Sequence, residues 1–400
     1  MDIFLLYQYA ITGILLFMLF NFLVNNFVFK DTSRYKLPQD ILDKNPLVSV
    51  LIPARNEEAN IKRCLLSLTK QDYTNIEILV LDDSSTDSTA EIVKGLSKKD
   101  KRIRLYHGKK LKKGWMGKPY ACHQLAGYAS GDYLIFTDAD TLHFPGSVSG
   151  AVASLLRNKL GGLSVFSKEI MVTIHERMMV PFGVYMILCF MPLFLVKKAK
   201  SALFCTAIGQ FMLFKRDVYE KIGGHESVKS EVLEDIKISK RVKRAGYKFM
   251  IFDGRNNLYC RSYRSFREVI RGYSKVLFAA FDYRLPIISV IIVLASAVLL
   301  FPFLWLVPAI IFKWPMIVIE LMVLQAAIIL ATRIVFSIRF RSRAIDILLH
   351  PFSVIYLVLI AINSVFNTIA GTGVNWKGRV YDISHEDSLT LIDDSYKQKL

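Results

Sequence analysis

Charge is absent from long stretches of this sequence. Residues 3–29, 285–312 and 347–376 hold no Asp, Glu, Lys or Arg, and 315–337 holds only Glu320 and Arg333. A helix crosses a bilayer with about 20 apolar residues, so these runs exclude a wholly water-soluble protein. The first run lacks the basic start and small-residue cleavage site of a removable signal, which predicts a retained anchor. Cysteine is sparse: five residues, none in a C-x-x-C, exclude a disulfide frame or zinc knuckle and suit a reducing compartment. Acidic residues are outnumbered, 34 against 52 basic, for a net charge of +18. Lys30, Arg34, Lys36, Arg339, Arg341 and Arg343 flank the apolar runs. Basic flanks mark a cytoplasmic membrane face rather than a nucleic-acid groove, and no basic stripe interleaved with aromatics is present. Neither G-x-x-x-x-G-K-[ST] nor G-x-G-x-x-G occurs, which leaves out a P-loop and a dinucleotide fingerprint.

What is present lies between residues 46 and 284. Apolar runs LVSVLI (47–52), IEILVL (76–81), RIRLYH (102–107) and YLIF (133–136) alternate with helical patterns at 56–70, 85–98 and 118–130. Near-continuous apolar strands between helices predict an α/β domain, a mostly parallel sheet covered on both faces. Ligands of such sheets bind beyond the carboxyl ends of the strands. Polar clusters sit there: PARNEE (53–58), DDSSTD (82–87) and TDAD (137–140). Asp138 and Asp140 stand two apart on an extended segment and project to one side. Two such carboxylates repel unless a cation lies beside them. A D-x-D alone fits a polar turn after a buried strand better than a site; three clusters on one rim favour a site. Ser84, Ser85 and Thr86 also suit a helix N-cap. His143 is close enough in sequence to reach a metal, but a lone histidine is more often structural.

The ordered motifs IPARNEE, VLDDSSTDST, GWMGKPYACHQLA, FTDADT and VLEDIKISKRVKRAGY resemble family 2 glycosyltransferases of the GT-A fold over about residues 47–275. The tail NWKGRVYDI (375–383) resembles membrane lipid glycosyltransferases of the carotenoid-acid (diaponeurosporenoate), hopanoid-associated and, more distantly, ceramide types. The resemblance implies Asp140 as direct ligand of Mg²⁺ or Mn²⁺, with Asp138 at the ribose or beside the metal and Ala139 between them. It places Pro53, Ala54, Arg55 and Glu57 along the nucleoside and Asp83 at the base edge. Lys118 meets phosphate or ribose, or is a solvated lysine at a helix start. Asp235, paired with Glu234 at a helix start, becomes the catalytic base, and Gly209 and Gln210 lie near the sugar. Arg267 and Arg271 fit either a pyrophosphate leaving group or lipid headgroups; the family's Q/R-x-x-R-W motif is incomplete here, with Tyr273 in place of Trp.

The expected organisation is an anchor at 1–30, a cytoplasmic GT-A domain at 46–284 with an interfacial helix at 178–196, membrane helices at 285–370 and a tail at 371–400. The expected function is transfer of a hexose from a nucleotide diphosphate-sugar, UDP-linked, to a lipid at the plasma membrane. A polyprenyl-phosphate sugar synthase and a non-catalytic scaffold are the alternatives.

Overall fold

The computed structural model describes residues 3–199, 201–370, 374–377, 379–382 and 390–392. The chain divides into two units: one comprises 29–170, 195–262 and 371–400, the other 1–28, 171–194 and 263–370.

The first unit is built on β1 (Val48–Ala54), β2 (Ile76–Asp82), β3 (Ile103–His107), β4 (Tyr133–Thr137), β5 (Thr141–His143), β6 (Gly162–Phe166), β7 (Lys168–Glu169), β8 (Phe211–Lys215), β9 (Phe249–Asp253) and β10 (Leu258–Cys260). Seven form a sheet in the order β3-β2-β1-β4-β8-β6-β9. Pairing is parallel except where β8 runs antiparallel between β4 and β6. All residues of β2, β4, β6 and β9 are buried, as a sheet packed on both faces requires. Strand order reverses between β1 and β4, so the crevice at their carboxyl ends is the switch point where α/β sheets bind ligands. Strands β5, β10 and β7 form a second small sheet. β11 (Val374–Trp376), β12 (Arg379–Asp382) and β13 (Thr390–Ile392) form a third.

The opposite, amino end of the sheet is tied by a buried polar node. Ser49 Oγ donates to Glu77 at 2.6 Å, Ser130 N donates to the same carboxylate at 2.6 Å, and Gly131 N donates to Ser49 Oγ at 2.8 Å. A Cβ on Gly131 would lie 2.7 Å from Leu47 O and Ser49 N, both backbone atoms. Gly131→Ala is therefore expected to cost about 1–3 kcal/mol through forced backbone shifts, read as a lowered thermal midpoint with the site's chemistry unaltered.

Two helices begin later than the sequence pattern suggests. The helix expected at 56–70 is Ile61–Leu68, because Asn56 is left-handed (φ 52°) and Glu57 N donates to Thr89 Oγ1 at 2.8 Å. The helix expected at 85–98 is Thr89–Ser97. Ser84–Thr86 do not cap it; Ser88 holds the N-cap position without a side-chain cap bond, and Asp87 before it accepts from Thr89 N at 3.0 Å and Glu58 N at 3.1 Å. Both shifts leave loops at the carboxyl ends of β1 and β2.

In the second unit, four helices are long and apolar enough to cross a membrane: Ile3–Val28, Leu285–Leu304, Met316–Phe340 and His350–Ile369. The uncharged run 347–376 thus ends as helix at Ile369, with β11 beginning at Val374. The expected 178–196 helix is Ile174–Phe190, capped by Thr173 and Glu176 and ended before Pro192, followed by Leu193–Lys198. Asn25 Nδ2 donates to Leu188 O and Met191 O, at 2.8 and 2.7 Å, satisfying carbonyls at that helix end. Gln325 donates to Gln8 and Thr12 at 3.0 Å each, a polar contact between two spans.

Candidate active site

The first unit's sheet ends in acids. β4 closes at Thr137, whose hydroxyl donates to Gln210 O at 2.8 Å, and Asp138 N donates to the same carbonyl at 3.2 Å. These bonds pin the D-x-D to the segment entering β8. Ala139, 2% exposed, points into the core, so Asp138 and Asp140 flank an anchored residue. Burial, then Asp138, Glu57 and Glu169, push the Asp140 carboxyl up to about 7. Its Oδ1 is buried with no hydrogen-bond partner.

Asp138 is held differently. Its Oδ1 lies 2.8 Å from Lys118 Nζ, and the same ammonium is 3.2 Å from Glu234 Oε1. Burial would lower the Lys118 ammonium, but Asp138 and Glu234 outweigh it and hold it well above its ordinary value. Lys118 is thus a paired cation, and the solvated-lysine alternative is not what the fold adopts. Asp235 begins helix Glu234–Arg244, and its Oδ1 accepts from Ile236 N at 2.8 Å. Burial, then the neighbouring Glu234, push Asp235 up to about 7, where a carboxylate serves as a base near neutral pH. A Cβ on Gly209 would meet Lys118 Nζ at 2.8 Å and Asp235 Oδ2 at 3.5 Å, so glycine there permits the close approach. Lys118, Asp138, Gly209, Gln210, Glu234 and Asp235 therefore converge.

Pro53 and Ala54 end β1 beside Leu81 and Asp82 of β2. Arg55 follows, its Nη1 donating to Asp83 O at 2.5 Å and Ser84 O at 2.9 Å. Burial raises the Asp83 carboxyl, and Arg379 opposes that rise. These residues share the rim with the D-x-D. Arg267 and Arg271 are exposed on helix Phe266–Leu277 of the second unit.

One acid escapes sequence reasoning. Glu169 accepts from Gln210 Nε2 at 2.6 Å and Ser262 Oγ at 3.0 Å, and burial raises its carboxyl. Only its place just past the apolar β6 hints at it. His143 is structural: Nε2 lies 2.8 Å from Thr141 Oγ1, and burial pushes the imidazole down to about 3. A separate cleft lined by Lys109, Tyr120, His123, Arg216 and Glu226 contains none of these carboxylates.

A divalent cation fits this donor set. An orphaned buried Asp140 oxygen needs a partner, and Asp138 stands beside it. Among the described residues no three His, Cys, Asp or Glu converge as a cage. The arrangement suits an ion bound by one or two carboxylates and completed by substrate phosphates and water, as Mg²⁺ commonly is.

Residues 49–223 match the model of glycosyl transferase family 2. The chain is similar to the 4,4'-diaponeurosporenoate glycosyltransferase of Staphylococcus haemolyticus (strain JCSC1435), 28% identical over 250 residues, 62% of this chain and 65% of that protein. That alignment spans just under two thirds of the relative. The corresponding protein of Staphylococcus aureus (strain USA300) is 25% identical over 364 residues, 88% of this chain and 93% of the other. The fold is that of a mannosyltransferase from Pyrobaculum calidifontis, solved in complex with GDP-Man and Mn²⁺: TM-score 0.52, 18% identity, 91% of this chain and 98% of that one.

Proposed function

We propose that this protein is a membrane-bound, inverting, metal-dependent glycosyltransferase. It moves a hexose from a nucleotide diphosphate-sugar, UDP-linked, to a hydroxyl or carboxyl group on a lipid. The observation carrying this reading is the convergence of the D-x-D acids, Lys118 and Asp235 at one switch-point rim. The Staphylococcus relatives, named for a carotenoid-acid acceptor, support the lipid acceptor, as do four helices of membrane-crossing length.

Asp235, ionised, takes the proton from the acceptor O–H as that oxygen bonds to the anomeric carbon. The bond from that carbon to the pyrophosphate oxygen breaks, its electron pair leaving with the nucleotide. Attack from the side opposite the leaving group inverts the centre. Asp138 and Asp140 would hold Mg²⁺ or Mn²⁺, which supplies Lewis-acid stabilisation of the charge on the departing pyrophosphate. Lys118 fixes the Asp138 and Glu234 carboxylates, and Gln210 and Glu169 present a polar wall for sugar hydroxyls. The site faces the cytoplasm at the plasma membrane in this reading, which the basic flanks of the apolar helices support.

The test is nucleotide release by purified protein offered UDP- or GDP-sugars, Mg²⁺ or Mn²⁺ and a membrane lipid extract. Lys118→Met leaves Asp138 and Glu234 facing each other without a cation. It is expected to cut kcat/KM by about tenfold to a hundredfold, the cost of unpairing buried charges, with unfolding followed alongside. An unchanged kcat/KM would remove Lys118 from the site.

A further inference from the structure

The C-terminal hairpin docks on the residues assigned to the nucleoside. Lys377 Nζ lies 2.6 Å from Glu57 Oε1, and Lys377 O accepts from Arg55 Nε at 3.0 Å. Arg379 grips Asp83 with both terminal nitrogens, one at 3.0 Å from Oδ1 and the other on Oδ2. Tyr381, fully buried, accepts from Gly117 N at 3.0 Å, one residue before Lys118. All these groups belong to one unit.

Charge gives the hairpin a reason to be there. The rim gathers Glu57, Asp82, Asp83, Asp138, Asp140 and Glu169, which together repel a nucleoside diphosphate. Lys377 and Arg379 join Arg55 and Lys118 in offsetting them. A bidentate guanidinium also fixes a carboxylate's plane while leaving each oxygen a free lone pair. Asp83, so gripped, can still accept from a base N–H. Full burial of Tyr381 fits a wall that stays in place, since a plug leaving at each turnover would expose that ring every time.

We propose that the hairpin of β11 and β12 is a fixed wall of the nucleotide subsite, with Arg379 and Lys377 as positioning residues that set Asp83 and Glu57 for the donor's nucleoside. The proposal rests on the donor reading above. It carries a topological consequence: the hairpin and the D-x-D share one membrane face, so the chain crosses an even number of times between Arg284 and Val374. Three helices in that interval are long and apolar enough to cross. At least one of them therefore enters and leaves by the same face.

The test uses the full-length chain in detergent, with UDP and GDP titrated calorimetrically in the presence of Mn²⁺. Arg379→Ala and Lys377→Ala are expected to weaken nucleotide binding and raise the donor KM by about tenfold or more, with kcat changed less than about threefold, because uniform binding is lost. Arg379→Lys, which keeps a cation beside the buried Asp83, recovers part of the loss with an unfolding midpoint near that of the wild type. Tighter binding in the variants would mean a latch and overturn the wall, as would equal binding. Wild-type protein that binds neither nucleotide would overturn the donor reading and this proposal with it. A second arm needs no activity: Lys99→Cys and Lys399→Cys, made singly, are labelled in sealed vesicles, the five native cysteines being buried. Labelling from the same side supports the shared face; labelling from opposite sides overturns it.

Discussion

Asp140→Asn is expected to abolish transfer, lowering kcat by about a thousandfold or more, while leaving the protein at least as stable as the wild type. Loss of metal-borne stabilisation at the leaving pyrophosphate removes several kcal/mol from the transition state, and each 1.36 kcal/mol is about tenfold in rate. Stability moves the other way. Asp140 is partly buried, feels the repulsion of Asp138, Glu57 and Glu169, and has a buried oxygen with no partner. An amide of the same shape removes that repulsion. Initial rates and thermal unfolding measured on one preparation check both halves. Lost activity with a lowered melting point would make Asp140 a structural acid instead.

Asp235→Asn is the second large effect, an expected fall in kcat of about a hundredfold to ten-thousandfold from removal of a general base. The pH dependence gives the sharper readout. Burial and Glu234 hold the Asp235 carboxyl near 7, above its ordinary value. A raised carboxyl disfavours the ionised form, so its contribution to stability is fully present below the ordinary carboxylate range and fades as pH rises through about 7. Activity runs oppositely, because only the ionised form takes a proton. Wild-type kcat/KM therefore climbs with pH to half its plateau near 7, and the variant's residual kcat/KM loses that limb. A variant retaining most of its activity would point to an acceptor already ionised at neutral pH, such as a lipid carboxylate or a polyprenyl phosphate.

Much of the scaffold is legible in the sequence because burial leaves a local mark. β1, β2 and β4 are apolar runs that a two-sided sheet demands, and the acids follow them directly. The spans are legible for the same reason, as uncharged runs. Cap chemistry is less so: Ser84–Thr86 look as good a cap as any, but the positive φ at Asn56 and Ser84 turns both loops into the rim, and the helix begins only at Thr89, after Ser88. β8 has no local sign that it runs antiparallel between β4 and β6; only pairing across the sheet decides that. Glu169 and the Arg379–Asp83 grip are invisible in the same sense, since partners 41 and 296 residues apart leave no periodicity.

The central claim is metal-dependent transfer from a nucleotide sugar to a lipid. Its most direct test is nucleotide release by wild-type and Asp140→Ala protein, with and without Mg²⁺ or Mn²⁺ and a membrane lipid extract. Release of UDP that requires both metal and lipid, and disappears in the variant, is the expected result. A folded wild-type protein that binds nucleotide but releases none from any donor would contradict it, and would leave a membrane scaffold wearing a transferase fold.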